Sequence, residues 1–113
     1  MAKLREQIIH LPAFDNDKVS LRDEREAIEK IILASFGGFT SQVCRGAWKD
    51  EDGTVYEEYM HRYTVALDED DEVKVQLFKA TAQIAADVMR QICIYAVICG
   101  EVQFIYGDGA DVE

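Results

Sequence analysis

The sequence predicts a small α+β domain in which two helices cover one face of an antiparallel sheet. Three observations lead to this prediction. The 113 residues fit one domain, and 49% of them are apolar, which is enough for one core. Apolar residues recur at helical spacing in two segments, whereas in five others they alternate or form short runs. These segments follow one another in the order β-α-β-β-α-β-β.

The first two elements are a strand and a helix. Leu4 to Leu11 is predicted as a strand that Pro12 ends. Ser20 is a favourable N-cap for the helix, with Asp23 three residues later as in a capping box. Gly37-Gly38 supplies the positive φ that commonly ends a helix. One helical face is formed by Leu21, Ile28, Ile31, Ile32 and Ser35.

A hairpin follows. Thr40 to Lys49 and Thr54 to Leu67 are predicted strands, joined by the acidic loop Asp50-Glu51-Asp52-Gly53. Alternation in the second strand places Tyr59, His61, Tyr63, Val65 and Leu67 on one face and Met60, Arg62, Thr64 and Ala66 on the other.

The second helix begins in the acidic run from Asp68, because acidic residues suit the positive end of the helix dipole. Its predicted apolar stripe consists of Val73, Leu77, Thr81, Ile84 and Val88, widened by Phe78, Ala85 and Met89. The opposite polar stripe consists of Glu72, Gln76, Lys79, Gln83, Asp87 and Arg90.

Two strands complete the domain. Ile92 to Ile98 is apolar throughout, which fits a strand covered on both faces in the middle of the sheet. Cys99-Gly100 is short enough for a two-residue turn into Val102 to Tyr106. The order is that of the split β-α-β, or ferredoxin-like, fold with one added strand. Residues 1–107 are therefore predicted as one domain and 108–113 as an acidic tail.

Two helices cover only one face of such a sheet. Tyr56, Met60, Tyr95 and Val97 are predicted on the other face, and an apolar open face usually finds a partner. A homo-oligomer, with a dimer favoured, is therefore expected.

Composition limits the possible partners and compartments. The net charge is −10, with three basic and ten acidic residues in 67–113, so direct binding of nucleic acid is not expected. No signal peptide or membrane span is recognised, and Cys44, Cys93 and Cys99 show no metal-ligand spacing. The prediction is a reduced cytoplasmic protein without metal or cofactor.

No known catalytic motif is present, so the protein is predicted not to be an enzyme. His10 and His61 lie on neighbouring predicted strands and are weighed as a pair, as are Cys44 and His61. Neither pair has a third group that completes a site. Glu57 and Glu58 point to opposite faces and cannot form a carboxylate pair. The residues predicted to bind a ligand or partner are Arg45, Trp48, Tyr59, His61 and Arg62, and those predicted to face a partner are Asp68, Glu69, Asp70, Asp71 and Glu72.

The stretch FGGFTSQVCRGAWKDEDGTVYEE resembles small proteins of unassigned function encoded by phages and plasmids. They share F-G-G-x-T, G-x-W, an acidic turn with Gly and a strand with paired acids. The resemblance covers roughly Ile28 to Ile105, implies a mobile-element protein, and adds no catalytic residue.

Four functions are weighed on these grounds, and a small enzyme is placed last among them. The first is a non-enzymatic binding protein that blocks a host protein, such as a defence component. The second is an oligomer that sequesters a small anionic ligand such as a nucleotide, held by Arg45, Arg62 and Trp48. The third is a DNA mimic that presents rows of carboxylates. The host-blocking protein is the favoured prediction.

Overall fold

Five strands form one antiparallel sheet, and two helices pack on one of its faces. The structure, a computed structural model, describes residues 3–91 and 93–107. The elements are β1 (Leu4–Pro12), α1 (Arg22–Phe36), β2 (Thr40–Lys49), β3 (Val55–Asp68), α2 (Glu72–Val88), β4 (Cys93–Ile98) and β5 (Glu101–Tyr106). The predicted order of elements is confirmed.

The strands lie in the order β2-β3-β1-β4-β5. All four neighbouring pairs are antiparallel, with β1 in the centre and β2 and β5 at the edges. This is the predicted ferredoxin-like arrangement with an added edge strand. β4 is an internal strand, as its apolar run predicts.

Strand alternation decides which residues form the core. Directly paired residues of antiparallel strands share a face, so the buried set can be followed from strand to strand. Ile9 pairs with both Tyr63 and Ala96, and all three side chains are fully buried beneath the helices. The helix-free face contains the predicted Tyr56, Met60, Tyr95 and Val97, and β4 is only half-buried on that side.

The first helix has the predicted core face but a different start. Ile28 and Ile32 are buried, whereas the N-cap is Leu21 without a side-chain hydrogen bond. Ser20 Oγ accepts a hydrogen bond of 3.2 Å from the backbone N–H of Arg22. The predicted capping box would instead join Ser20 to Asp23. Gly37 ends the helix with φ of 85°, as predicted.

The predicted apolar stripe of α2 is confirmed only in part. Phe78, Thr81, Ala85 and Met89 are buried as predicted, whereas Val73, Leu77, Ile84 and Val88 are exposed, and the core also receives Val75, Ala82 and Ala86. Small alanines let the helix approach the sheet closely, so close packing outweighs the burial of larger aliphatic side chains. The helix also ends at Val88, so Arg90 lies beyond it and not on its polar stripe.

The β4–β5 turn has the two-residue form that the sequence predicts. Cys99 and Gly100 have φ of 52° and 80°, and two positive values match the right-handed twist of a hairpin. Ile92 and the tail at 108–113 lie outside the described residues. Neither helix within 3–91 and 93–107 combines the length and apolarity that crossing a bilayer requires.

Gly107 lies against the end of α2, where no side chain fits. A Cβ on Gly107 would lie 2.6 Å from Ala86 O and 2.8 Å from Gln91 O, and backbone atoms cannot move aside cheaply. Gly107→Ala is therefore expected to lower the free energy of unfolding by about 1–3 kcal/mol in chemical denaturation. Gly38→Ala is the control, because a Cβ there meets nothing within 4 Å. Equal midpoints for the two variants would contradict this packing.

Candidate active site

A cleft opens on the helix-free face at the point where the central strand leaves the sheet. Pro12 is the last residue of β1, and it pairs with Met60 on β3. Beyond it the chain turns away toward α1, whereas β3 continues and β4 begins at Cys93 on the other side. The departure of β1 therefore leaves a gap between β3 and β4.

The cleft has a volume of about 530 Å³, within the range of roughly 300–1,000 Å³ typical of small-molecule sites. Aromatic rings from four strands line it. The rings of His10 and Tyr95 are 4.7 Å apart, and those of Tyr95 and Phe104 are 5.9 Å apart in an edge-to-face arrangement. The full lining is His10, Pro12, Asn16, Trp48, Glu58, Met60, Arg90, Gln91, Cys93, Ile94, Tyr95 and Phe104.

Glu58 is the acidic residue that lines this cleft. Partial desolvation by its surroundings raises the pKa of this carboxyl, although the side chain still reaches solvent. Cys93 lines the same cleft; burial raises the pKa of its thiol, and the charge of Glu58 raises it further. A carboxylate with a raised pKa in an apolar cleft is suited to accept a proton or to stabilise a cation.

His10 and Arg62 form the polar part of the face beside the cleft. They pair directly across β1 and β3. Burial lowers the pKa of His10, and the positive charge of Arg62 lowers it further, so the imidazole is neutral at pH 7. Arg62 Nε is buried and donates no hydrogen bond to the described residues. The face therefore presents a neutral imidazole and a guanidinium with unused donor capacity.

Gly46 leaves room for the side chain of Met60, which lines the cleft. It pairs with Glu58, and a Cβ at this position would lie 2.6 Å from Met60 Cε. The absence of a side chain lets Met60 lie over β2 beside the carboxylate. The neighbouring pair closes this end, since the rings of Trp48 and Tyr56 stack 4.4 Å apart.

The five residues predicted to bind a ligand or partner do not share one surface. Trp48 and Arg62 lie on the helix-free face, and of the five only Trp48 lines the cleft. Arg45 pairs with Tyr59, and both lie on the opposite face with His61. Within one chain, Arg45 therefore lies on the face opposite to Arg62 and Trp48.

The histidine and cysteine pairs weighed from the sequence are also separated. His10 pairs with Arg62 and Leu11 pairs with His61, so the two histidines point to opposite faces. Val43, and not Cys44, pairs with His61. Burial lowers the pKa of His61, the charge of Arg25 lowers it further, and Glu29 opposes the shift. His61 therefore lies on the face of the sheet that the helices cover, within reach of the charges of Arg25 and Glu29 on α1. The described residues contain no group of three or more His, Cys, Asp or Glu side chains that could hold a metal.

The acidic run contributes mainly to local structure. Asp71 caps α2 by accepting a hydrogen bond from the Lys74 backbone N–H at 3.2 Å. Glu69 Oε2 accepts a hydrogen bond of 2.9 Å from the buried amide of Gln7, and Asp68 Oδ1 accepts one of 3.0 Å from the Asp70 backbone N–H. These contacts join the start of α2 to the central strand.

Sequence reasoning missed Glu58, Tyr95, Phe104 and Arg90 as site residues. Glu57 and Glu58 point to opposite faces of the sheet, as predicted. The register of the hairpin is a signal that identifies Glu58. The length of the acidic loop determines which residues pair, and this pairing places Glu58 on the same face as Trp48. The gap left by β1 has no signal in the sequence.

No protein-family model and no curated protein matches the sequence. Two solved structures share its fold. A phage SAM lyase in complex with S-methyl-5′-thioadenosine aligns with a TM-score of 0.68 at 14% identity, covering 89% of this chain and 88% of that chain. A phage SAM lyase in the apo state aligns with a TM-score of 0.58 at 16% identity, covering 95% and 91%.

This likeness corrects the functional predictions made from the sequence. The favoured prediction, a non-enzymatic protein that blocks a host protein, is wrong because the shared fold is that of an enzyme. The sequestering oligomer and the DNA mimic are non-enzymatic alternatives and are corrected on the same ground. The lack of a familiar catalytic motif in a sequence does not exclude catalysis, because the groups of a site can come from segments that share no motif.

Proposed function

We propose that the protein is an enzyme that cleaves S-adenosylmethionine (SAM) and releases S-methyl-5′-thioadenosine. The observation that carries the proposal is the carboxylate of Glu58, set among aromatic rings in a cleft of ligand size. The fold likeness to phage SAM lyase gives this cleft a specific candidate substrate. At 14% identity the likeness supports the substrate class and assigns no residue.

The chemistry of the cleft fits the parts of SAM. The rings of Trp48, Tyr95 and Phe104 offer flat apolar surfaces for an adenine base. The sulfonium of SAM is a cation, and a carboxylate and aromatic faces are the groups that stabilise cations. Glu58 and these rings line one cleft. The cleft therefore combines a surface for the base with a negative group for the sulfonium end.

The reaction breaks the bond between the sulfonium sulfur and the γ-carbon of the amino-acid portion. The electron pair stays on sulfur, which becomes the neutral thioether of S-methyl-5′-thioadenosine. The remaining portion is completed in one of two ways: a base removes a proton from the β-carbon and a double bond forms, or the substrate's own carboxylate closes a ring at the γ-carbon. Glu58 is the base in the first route, and in the second it holds the positive end of the substrate.

Incubation of the purified protein with SAM, followed by chromatography and mass spectrometry, tests the proposal. Loss of SAM matched by formation of S-methyl-5′-thioadenosine, faster than in protein-free buffer, is the expected result. The unsaturated amino acid and the lactone have the same mass, so the second product is also treated with base: a lactone opens and gains the mass of one water molecule, whereas the unsaturated amino acid does not. No acceleration over buffer by folded protein would overturn the proposal.

The protein is also proposed to be a phage protein that acts in the cytoplasm of an infected cell. Both structural neighbours are named as phage proteins, and the resemblance over Ile28 to Ile105 leads to the same source. Enzymatic removal of SAM is a different action from binding and blocking a host protein.

A homo-oligomer is proposed because the helix-free face remains largely exposed. Trp48, Val102 and Phe104 are each more than half exposed on this face. At about 25 cal/mol per Å² of apolar surface, covering several such side chains contributes several kcal/mol. A second copy of the chain, most simply in a dimer, would cover these side chains and would also cover the open cleft.

Val102→Asp is expected to dissociate this oligomer, because it places a charge on the helix-free face of edge strand β5. Val43→Asp is the matched control on the other edge strand, β2, since Val43 points to the opposite face. The two valines are 54% and 66% exposed, so neither change disturbs the core. Sedimentation should show the assembled mass for the wild type and Val43→Asp, and the monomer mass for Val102→Asp. A monomeric wild type at micromolar concentration would contradict the proposal.

A further inference from the structure

Arg90 has a backbone conformation that a non-glycine residue rarely adopts. Its φ is 53°, and its N–H donates a hydrogen bond of 3.1 Å to Asp87 O as the chain leaves α2. Glycine is the usual residue at such a helix end, and Gly37 ends α1 in this way with φ of 85°. An arginine adds the steric cost of a Cβ in the left-handed region. Backbone strain of this kind is concentrated at functional sites.

The same conformation places Arg90 on the wall of the cleft. The charged residues of the lining are Glu58 and Arg90, because His10 is neutral at pH 7. The described part of the chain contains two ion pairs, Arg5–Glu69 and Arg22–Glu26, and Arg90 takes part in neither. Within residues 3–91 and 93–107 the guanidinium is therefore free to bind a ligand.

The two charges match the two ends of the amino-acid portion of SAM. That portion carries an α-carboxylate and an α-ammonium besides the adjacent sulfonium. A guanidinium presents two parallel N–H donors that fit a carboxylate, whereas Glu58 suits only the cationic groups. We propose that Arg90 binds the α-carboxylate of the substrate and makes the cleft specific for the amino-acid end of SAM. This assignment rests on the proposed function and adds to it the residue that recognises this end.

Two adenosine thioethers can show whether Arg90 binds the α-carboxylate or whether its replacement weakens binding of every ligand in the cleft. S-adenosylhomocysteine carries the α-carboxylate, and S-methyl-5′-thioadenosine lacks the whole amino-acid end. In calorimetric titrations Arg90→Gln is expected to weaken binding of the first by on the order of tenfold or more and to leave binding of the second unchanged. Arg22→Gln, which removes the same charge from an exposed position on α1, should leave both affinities unchanged.

Arg90→Gly provides a second, independent readout. It removes the same side chain and relieves the left-handed strain, so its midpoint of thermal unfolding should be higher than that of the wild type. Its affinity for S-adenosylhomocysteine should nevertheless fall as in Arg90→Gln. A variant that is more stable and yet recognises the carboxylate less well cannot be explained by damage to the fold.

The outcomes separate the two proposals. If the wild type binds both thioethers and Arg90→Gln keeps its affinity for S-adenosylhomocysteine, or loses affinity for both equally, the assignment of Arg90 is overturned and SAM cleavage is untouched. If the wild type neither binds the thioethers nor cleaves SAM, the proposed function fails and the role of Arg90 fails with it.

Discussion

Replacing Glu58 with Gln is expected to lower the rate of SAM cleavage by about 10²–10⁴-fold, the range typical of a lost catalytic acid–base group. The amide keeps the size of the side chain but neither accepts a proton nor carries the negative charge that the sulfonium end requires. The measurement is the rate of S-methyl-5′-thioadenosine release under saturating SAM. Affinity for S-methyl-5′-thioadenosine itself should change little, because this ligand lacks the cationic centre.

Glu57→Gln is the matched control for this variant. Glu57 is the adjacent residue and loses the same charge, but it pairs with Ala47 on the opposite face of the sheet. Its activity should equal that of the wild type. Equal losses in the two variants would show that a general charge effect, and not the carboxylate in the cleft, controls the rate.

The raised pKa of Glu58 gives this variant a pH signature in stability as well. The neutral carboxyl is favoured in the folded state, so its contribution to stability is fully present below the ordinary pKa of 4.5 and is lost as pH rises through the raised value. Gln is always neutral. Glu58→Gln should therefore unfold at the same temperature as the wild type in acid and at a higher temperature at neutral pH, while activity of the wild type rises over the same pH range.

Replacing Arg25 with Ala is expected to lower the free energy of unfolding by about 2–4 kcal/mol, from a total of about 5–15 kcal/mol for a domain of this kind. Arg25 is a buried residue of α1, and its Nη1 donates hydrogen bonds of 3.1 and 3.0 Å to the carbonyls of Pro12 and Ala13. These carbonyls lie where β1 leaves the sheet. Without the guanidinium, buried acceptors lose a donor and a cavity remains.

Arg22→Ala is the control on the same helix. Its guanidinium forms an exposed ion pair with Glu26 at 3.1 Å, and pairs of this kind contribute about 0.3–0.5 kcal/mol. Chemical denaturation should therefore show a large shift for Arg25→Ala and a small one for Arg22→Ala. Similar midpoints would mean that the Pro12 and Ala13 carbonyls find other donors. Activity of Arg25→Ala should also fall, because the segment that Arg25 holds carries Asn16 into the cleft.

The secondary-structure elements and their order can be predicted from the sequence, because each element depends on neighbours along the chain. Pro12 ends the first strand because it lacks a backbone N–H and has a fixed φ. Cys99-Gly100 forms the two-residue turn, and the hairpin loop sets the register that joins Trp48 to Tyr56. Alternation also separated Glu57 from Glu58 and identified the face of β3 that is buried.

The orientation of α2 and the composition of the cleft depend instead on packing between distant parts of the chain. Both large aliphatic and small side chains of α2 recur at helical spacing, and the fit against the sheet selected the alanine face. His10 and His61 lie on neighbouring strands but point to opposite faces, because their separation depends on the register between β1 and β3. Glu58 is distant in the sequence from Arg90 and Cys93, and the three meet because β1 turns away between β3 and β4. Such a gap arises from packing between segments, so no local pattern in the sequence specifies it.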